Sequence, residues 1–301
     1  MALDKATAEF VQKMAKRGRC PVWEMTPVEV RQLGGALKEM YGAGPDMARI
    51  DDVTIESSAG GNFRARWLVP CPDPSAIVVY LHGGGWVTGN IDEYDTLGRQ
   101  LAQASGATVL LVDYRKAPEH PFPTAVEDAW SALKWASRNQ NEISGGRTLP
   151  LIIAGDSAGG NLAAVCAIRS VRDPDVSVAL QVLVYPVTDS NFDTDSFTAP
   201  ENQLMLSRPG MMWFWNHYIG DVGKRQHPEA SPLRAPSLAG VAPALVLTAE
   251  HDPLRDEGEA YARRLSESGV EVDLRRFDGQ MHAGFRQSRD NLVLTGGFVC
   301  G

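Results

Sequence analysis

What this 301-residue chain lacks narrows its function first. No stretch approaches the roughly 20 consecutive apolar residues of a membrane span. The N-terminus, MALDKATAEFVQKMAKRG, carries Asp4 and Glu9 in place of a continuous apolar run, so it does not read as a secretory signal. Basic residues are in deficit, 29 Lys and Arg against 37 Asp and Glu, for a formal net charge of −8. An acidic surface argues against nucleic acid and anionic membranes as partners and leaves a small neutral substrate open. Cysteine is scarce, and Cys20, Cys71, Cys166 and Cys300 stand without metal-ligand spacing. Cys166 sits in an apolar helical run and reads as a core thiol. A reducing, cytoplasmic setting is the expectation. Dinucleotide and His-Glu-x-x-His signatures are missing, as are repeats and low-complexity linkers, so no cofactor or metal is expected.

What is present is a regular alternation. Residues 1 to about 48 read as helical, with Leu3, Thr7, Phe10, Val11 and Met14 on one face and interruptions at Gly34-Gly35 and at the turn over 42–45. Val53 to Ile55 and Phe63 to Val69 alternate like an antiparallel pair. The runs 76–81, 107–112, 151–154, 178–185 and 244–248 are denser in Val, Leu and Ile and read as strands buried on both faces. Helical segments fall near 92–105, 123–139, 158–170 and 256–268, the last with Ala260, Tyr261 and Leu265 on one stripe. Strands alternating with helices predict an α/β fold, a mostly parallel sheet flanked by helices. Sites on such sheets form at the carboxyl ends of strands.

Three such ends carry chemistry. Strand 151–154 runs into Gly155-Asp156-Ser157-Ala158-Gly159-Gly160 and then a helix, the strand–turn–helix context that Gly-x-Ser-x-Gly needs to expose a nucleophilic serine. The alternative is a Gly-rich phosphate-binding turn, but the lysine of a Walker loop is missing. Strand 76–81 runs into His82-Gly83-Gly84-Gly85-Trp86, whose glycines leave N–H groups free to turn toward developing negative charge. The expected oxyanion donors are Gly83, Gly84 and Ala158, with His82 fixing the loop by hydrogen bonding rather than acting as a base.

Past strand 244–248 come Glu250, Asp252, Asp256 and Glu257. Asp256 and Glu257 fit first-turn acids facing a helix dipole; Asp252, in the loop before the helix, is the candidate triad acid. Of six histidines, His282 alone follows a further strand-like run, 270–277, and sits in a Gly-containing loop. His251 is a rival base, but its place beside Asp252 in the chain directs its ring elsewhere. The order Ser157, Asp252, His282 suits a serine hydrolase in which imidazole takes the hydroxyl proton and the carboxylate orients the imidazole.

With these residues assembled, the sequence resembles the hormone-sensitive lipase family of bacterial-type esterases. The resemblance is carried by His82 to Trp86, by Asp113-Tyr114-Arg115 through Pro123, by Gly155 to Gly160 and by Asp252 to Gly258, in order between about residues 50 and 285. It implies an α/β-hydrolase fold with a helical cap built from residues 1–48 and an insertion at about 188–232, the catalytic domain spanning 49–301. It implies hydrolysis of short- to medium-chain acyl esters without a cofactor, a small-molecule ester as partner, and a homodimer through an edge strand. Two departures stand out. Ala283 separates His282 from Gly284, and the terminal Gly296 to Gly301 is unlike the family's closing helix. The Asp113 to Pro123 stretch reads as a structural brace. Part of the Met- and aromatic-rich run 205–218 is expected to line the substrate site, which makes Met211, Trp213 and Phe214 pocket candidates; Trp86, read as packing near the site or one wall of the pocket, and Asp156, beside the nucleophile, are candidates too. The competing functions are an amidase of the arylformamidase kind and a non-catalytic small-molecule receptor on the same scaffold.

Overall fold

A computed structural model describes residues 2–16, 18 and 20–284. Its centre is an eight-stranded sheet in the order β1-β2-β4-β3-β5-β6-β7-β8. The strands are β1 (Arg49–Glu56), β2 (Asn62–Val69), β3 (Ile77–Leu81), β4 (Thr108–Asp113), β5 (Leu151–Asp156), β6 (Val178–Val184), β7 (Ala244–His251) and β8 (Val272–Met281). β2 pairs antiparallel with β1 and with β4, and every other pairing is parallel. The helices are α1 (Lys5–Lys16), α2 (Pro27–Tyr41), α3 (Ile91–Ser105), α4 (Thr124–Ser144), α5 (Ala158–Ser170), α6 (Asp195–Thr198), α7 (Arg208–Tyr218) and α8 (Arg255–Glu267).

The alternation of side chains along each strand builds two cores. Val79, Leu110, Ile153 and Val246 lie in the core on the face that carries α4, α5 and α8, whereas Tyr80, Leu111, Ile152 and Leu247 lie in the core on the opposite face, which carries α3. Such fully apolar strands pack on both faces because crossover helices cover both. The chain steps from β3 to β4 on one side, then returns through α4 to β5 on the other. The crevice between the ends of β3 and β5 is therefore the topological switch point, where open α/β sheets hold ligands. Both Gly-rich turns leave from it.

The expected elements are present, with local differences. α2 runs through Gly34-Gly35 and stops at Gly42; the helical segment breaks earlier, between α1 and α2. The restart is specified locally. Thr26 caps the helix, Glu29 returns the bond as a capping box, and Pro27 occupies the first turn. Gly34 is tolerated because it permits close approach: a Cβ there would lie 2.5 Å from the Glu93 carboxylate on α3. β6 is not buried on both faces as expected. Leu180 and Val182 are half-buried, because α3 lies over β2 and β4 and leaves the β6 end of that face less covered, and Ala179, the extra residue where the register with β5 shifts, is exposed. On α8 the buried stripe is Tyr261, Ala262 and Leu265 rather than one including Ala260. Cys166 is fully buried, and burial pushes its thiol up to about 12. The unusual terminus, Gly296 to Gly301, and residue 285 after Gly284 lie outside the described residues. Among those described, no helix is long and apolar enough to cross a membrane.

Candidate active site

β5 extends two residues further than its apolar run, to Asp156, and delivers Ser157 at the turn into α5. Ser157 has φ +56° and ψ −117°, a region costing a non-glycine residue about 1–3 kcal/mol. The surroundings hold it there: its N–H donates to Val184 O at 2.9 Å, and its carbonyl accepts from Asn161 and Val187. The turn is tight enough that a Cβ at Gly159 would lie 1.9 Å from Leu81 O.

β7 likewise runs on to His251, and Asp252 follows, fully buried. One of its oxygens accepts the Leu254 N–H at 2.9 Å and the other is 2.8 Å from His282 Nδ1. His282 follows β8 directly, and its Nε2 is 3.1 Å from Ser157 Oγ. A proton on Nδ1, donated to Asp252, leaves Nε2 as the acceptor facing the serine hydroxyl. The structure thus brings together three side chains from the ends of β5, β7 and β8. Tyr185 packs its ring 4.7 Å from the His282 ring. Ala283 absorbs the extra residue with φ +66°. His251, the rival base, is buried 3.8 Å from Glu250 and takes no part in this chain of bonds.

The glycine loop departs from expectation at one residue. The Gly83 N–H donates to Asp156 Oδ1 at 2.8 Å, so it is committed and unavailable to an oxyanion. The amides of Gly84 and Gly85 donate to no acceptor among the described residues. With φ of +117° and +59° these two turn where a side chain would be strained. Three consecutive glycines look alike in sequence; in the structure the Gly83–Asp156 bond distinguishes the first from the other two. Ala158, first residue of α5, carries one of the N–H groups that a helix start leaves without an intrahelical partner. His82 does brace the loop, its Nδ1 2.7 Å from Gly83 O and its ring stacked on Tyr114 at 4.3 Å.

A cavity of about 750 Å³ reaches this loop at Gly83 and Gly84. Its wall is largely apolar, drawn from the N-terminal segment (Val22, Trp23, Leu33) and from the insertion (Leu204, Met205, Phe214). Of the pocket candidates, only Phe214 lines it. Trp86 is fully buried, stacked on Tyr218 at 4.2 Å, and Met211 is buried in the same core. Trp213 is half-buried against Phe214 and His217. Asp156 lies beneath the glycine loop instead of in the pocket. Each of these placements has its own cause: α7 is anchored by Met211, Trp215 and Tyr218 while Phe214 faces the cavity, Trp86 is held in the core by stacking on Tyr218, and Asp156 is held by its bond to the Gly83 N–H. The N-terminal wall was unread at the residue level, although Thr26-Pro27-Val28-Glu29 is a visible helix-start signal.

α2 is latched to the loop by Arg31. Its Nε donates to Val87 O and an Nη to Ala117 O, each at 2.8 Å, and it grips both oxygens of Glu119 at 2.8 and 2.6 Å. The guanidinium lowers the Glu119 carboxyl to about 2. The 113–123 stretch is thus a brace, which Arg115 completes by clamping the buried Asp128. Glu257 stands in the first turn of α8, as expected, and is buried. One of its oxygens accepts the amides of Thr188 and Asp189, which ties the start of the insertion to α8. Burial pushes its carboxyl well above the usual range.

A family model for the α/β hydrolase fold matches residues 78–286. The chain is 39% identical over 254 residues to the carboxylic ester hydrolase LipN of Mycobacterium tuberculosis, a stretch covering 82% of this chain and 66% of that protein. It is 35% identical over 292 residues to an ethyl acetate hydrolase of Pseudomonas putida, covering 94% and 92% of the two. A hyperthermophilic esterase from Pyrobaculum calidifontis superposes with a TM-score of 0.90 at 36% identity, over 99% of this chain and 98% of that one.

Proposed function

This chain belongs to the α/β-hydrolase family, in its hormone-sensitive-lipase-like branch, and is a carboxylic ester hydrolase; from that premise we propose that Ser157, His282 and Asp252 are its catalytic triad. The observation that carries this is the unbroken set of bonds from buried Asp252 through His282 to a strained Ser157. Ser157 Oγ attacks the ester carbonyl while His282 Nε2 takes its proton. Asp252 stabilises the resulting imidazolium. Negative charge on the former carbonyl oxygen meets the amides of Gly84, Gly85 and Ala158. The imidazolium then protonates the departing alcohol, and water repeats the sequence on the acyl-enzyme.

Residues 1–48 and about 188–232 act as a cap, because both contribute to the cavity wall. A cavity near 750 Å³ with apolar sides suits a short- to medium-chain acyl group, within the 300–1,000 Å³ usual for small-molecule sites. The test is hydrolysis of p-nitrophenyl esters from acetate to palmitate by wild type and Ser157→Ala. Turnover that peaks at butyrate to octanoate in wild type and vanishes in the variant supports the reading. Preference for palmitate refutes the chain-length assignment, and activity in the variant refutes the nucleophile. Hydrolysis of matched amides in preference to esters would favour the amidase alternative.

A further inference from the structure

Beneath the nucleophile lies a buried carboxylate that takes no part in the proton transfers. Asp156 is 3% exposed and is the last residue of β5. Its Oδ1 accepts the Gly83 N–H at 2.8 Å and the Tyr80 hydroxyl at 3.0 Å; its Oδ2 accepts the Tyr94 hydroxyl at 3.1 Å. The donors come from β3, the glycine loop and α3, so one side chain ties three elements together. An ionised carboxylate accepts only, and its hydrogen bonds are roughly twice as strong as neutral ones. The fit is close at the loop: a Cβ on Gly83 would lie 2.5 Å from Asp156 Oδ2, so only glycine brings its amide this near.

We propose that Asp156 is a positioning residue for ester hydrolysis. By holding the Gly83 N–H it fixes the peptide planes that follow, so that the Gly84 and Gly85 amides are aimed before charge develops. Tyr80 and Tyr94 hold the carboxylate in that posture. This rests on the proposed nucleophile and oxyanion donors. It also accounts for a glycine loop with three members and only two uncommitted amides, since the first is the handle by which the other two are set. Tyr94 borders the cavity and packs 5.2 Å from the His82 ring, so the grip stands between the substrate space and the loop. Misplacing preorganised donors by about 1 Å costs on the order of 10²-fold in rate.

The experiment compares wild type with Asp156→Ala, Asp156→Asn and the Tyr80→Phe/Tyr94→Phe double variant. It measures kcat and KM on p-nitrophenyl butyrate, and Ki for a trifluoromethyl ketone, whose adduct with serine carries the oxyanion. Ser157→Ala runs alongside: activity in that variant overturns the nucleophile, whatever Asp156 does. We expect Asp156→Ala to lose about 100-fold in kcat with KM within about threefold, and Ki to rise by a similar factor. Asp156→Asn, which keeps an acceptor for Gly83, recovers to within about tenfold of wild type. If Asp156→Ala does not fold, the double tyrosine variant decides, and we expect at least about tenfold lower kcat with a matching rise in Ki. A folded Asp156→Ala, or failing that the double variant, with kcat and Ki within threefold of wild type overturns the proposal. So does a loss confined to KM.

Discussion

Gly159→Ala probes the fold and the site together. A Cβ at this position would stand 1.9 Å from Leu81 O, 2.5 Å from Leu81 C and 2.7 Å from His82 O. Ordinary carbon contacts begin near 3.5 Å, so relief needs more than about 1 Å of movement. Neither side yields easily. Leu81 is paired with Val112 and Gly155 in the middle of the sheet, and α5 is buried along most of its length. Overpacking costs about 1–3 kcal/mol, and a clash with backbone on both counts belongs at the top of that range. In a domain of this class each kcal/mol moves Tm by roughly 2–4 °C, so we expect a fall of about 6–12 °C. The atoms displaced lead straight into the glycine loop, so kcat should fall by about 10²-fold in the surviving folded protein. Gly60→Ala is the control. It meets nothing within 4 Å but has φ +77°, so it should lose about 1–2 kcal/mol from backbone strain and no activity. The assays are thermal melting and initial rates on p-nitrophenyl butyrate. Gly159→Ala with Tm within 2 °C and kcat within threefold of wild type would refute the reasoning.

Two further outcomes concern charge. Burial raises the Glu257 carboxyl above its ordinary 4.5, so the unfolded chain ionises first and stability is lost as pH rises from there toward the folded value. Glu257→Gln should therefore melt higher relative to wild type at pH 8 than at pH 4, and equal differences at the two pH values would contradict this. Glu119 has the opposite sign. Its carboxyl is lowered to about 2 by Arg31, so the latch is fully present above about pH 4.5 and is lost as pH falls toward 2. Both side chains are partly exposed, which keeps the effect small. The Tm deficit of Arg31→Met should be constant from pH 5 to 9 and shrink in acid, and a deficit growing toward low pH would rule the latch out. Because α2 forms one wall of the cavity, the same variant should raise KM for octanoate more than for acetate.

The parts of the molecule legible in sequence were those marked by a contiguous pattern. Gly155 to Gly160 and His82 to Trp86 announce their turns as unbroken motifs, although the contacts that demand several of these glycines are distant in the chain: a Cβ at Gly83 would meet Asp156, at Gly85 Phe214 and at Gly159 Leu81. Four of the five apolar runs announce strands buried on both faces because crossover helices cover them; the fifth, β6, is apolar yet only partly covered. Asp252 and His282, singled out by chain order and loop context, are brought within hydrogen-bond distance of each other, and His282 of Ser157. What sequence could not show was set by partners far along the chain. The Gly83 amide is committed only because Asp156 reaches it from β5. Trp86 and Met211 are removed from the pocket by packing against Tyr218 and the core. Glu257 stands in the first turn of α8 as its pattern reads, and what the pattern could not show is that its carboxylate reaches the amides at 188 and 189. Gly34-Gly35 reads as a helix break on propensity alone, whereas capping at Thr26 and close packing on α3 carry the helix through it.

The central claim is that Ser157 is the nucleophile that His282 activates. A fluorophosphonate added to the folded protein and located by peptide mass mapping tests it most directly. We expect one equivalent on Ser157, no labelling in Ser157→Ala, labelling slowed by orders of magnitude in His282→Ala, and loss of esterase activity in step with the adduct. Esterase activity that survives full modification of Ser157, or an adduct on another residue with Ser157 untouched, would contradict it.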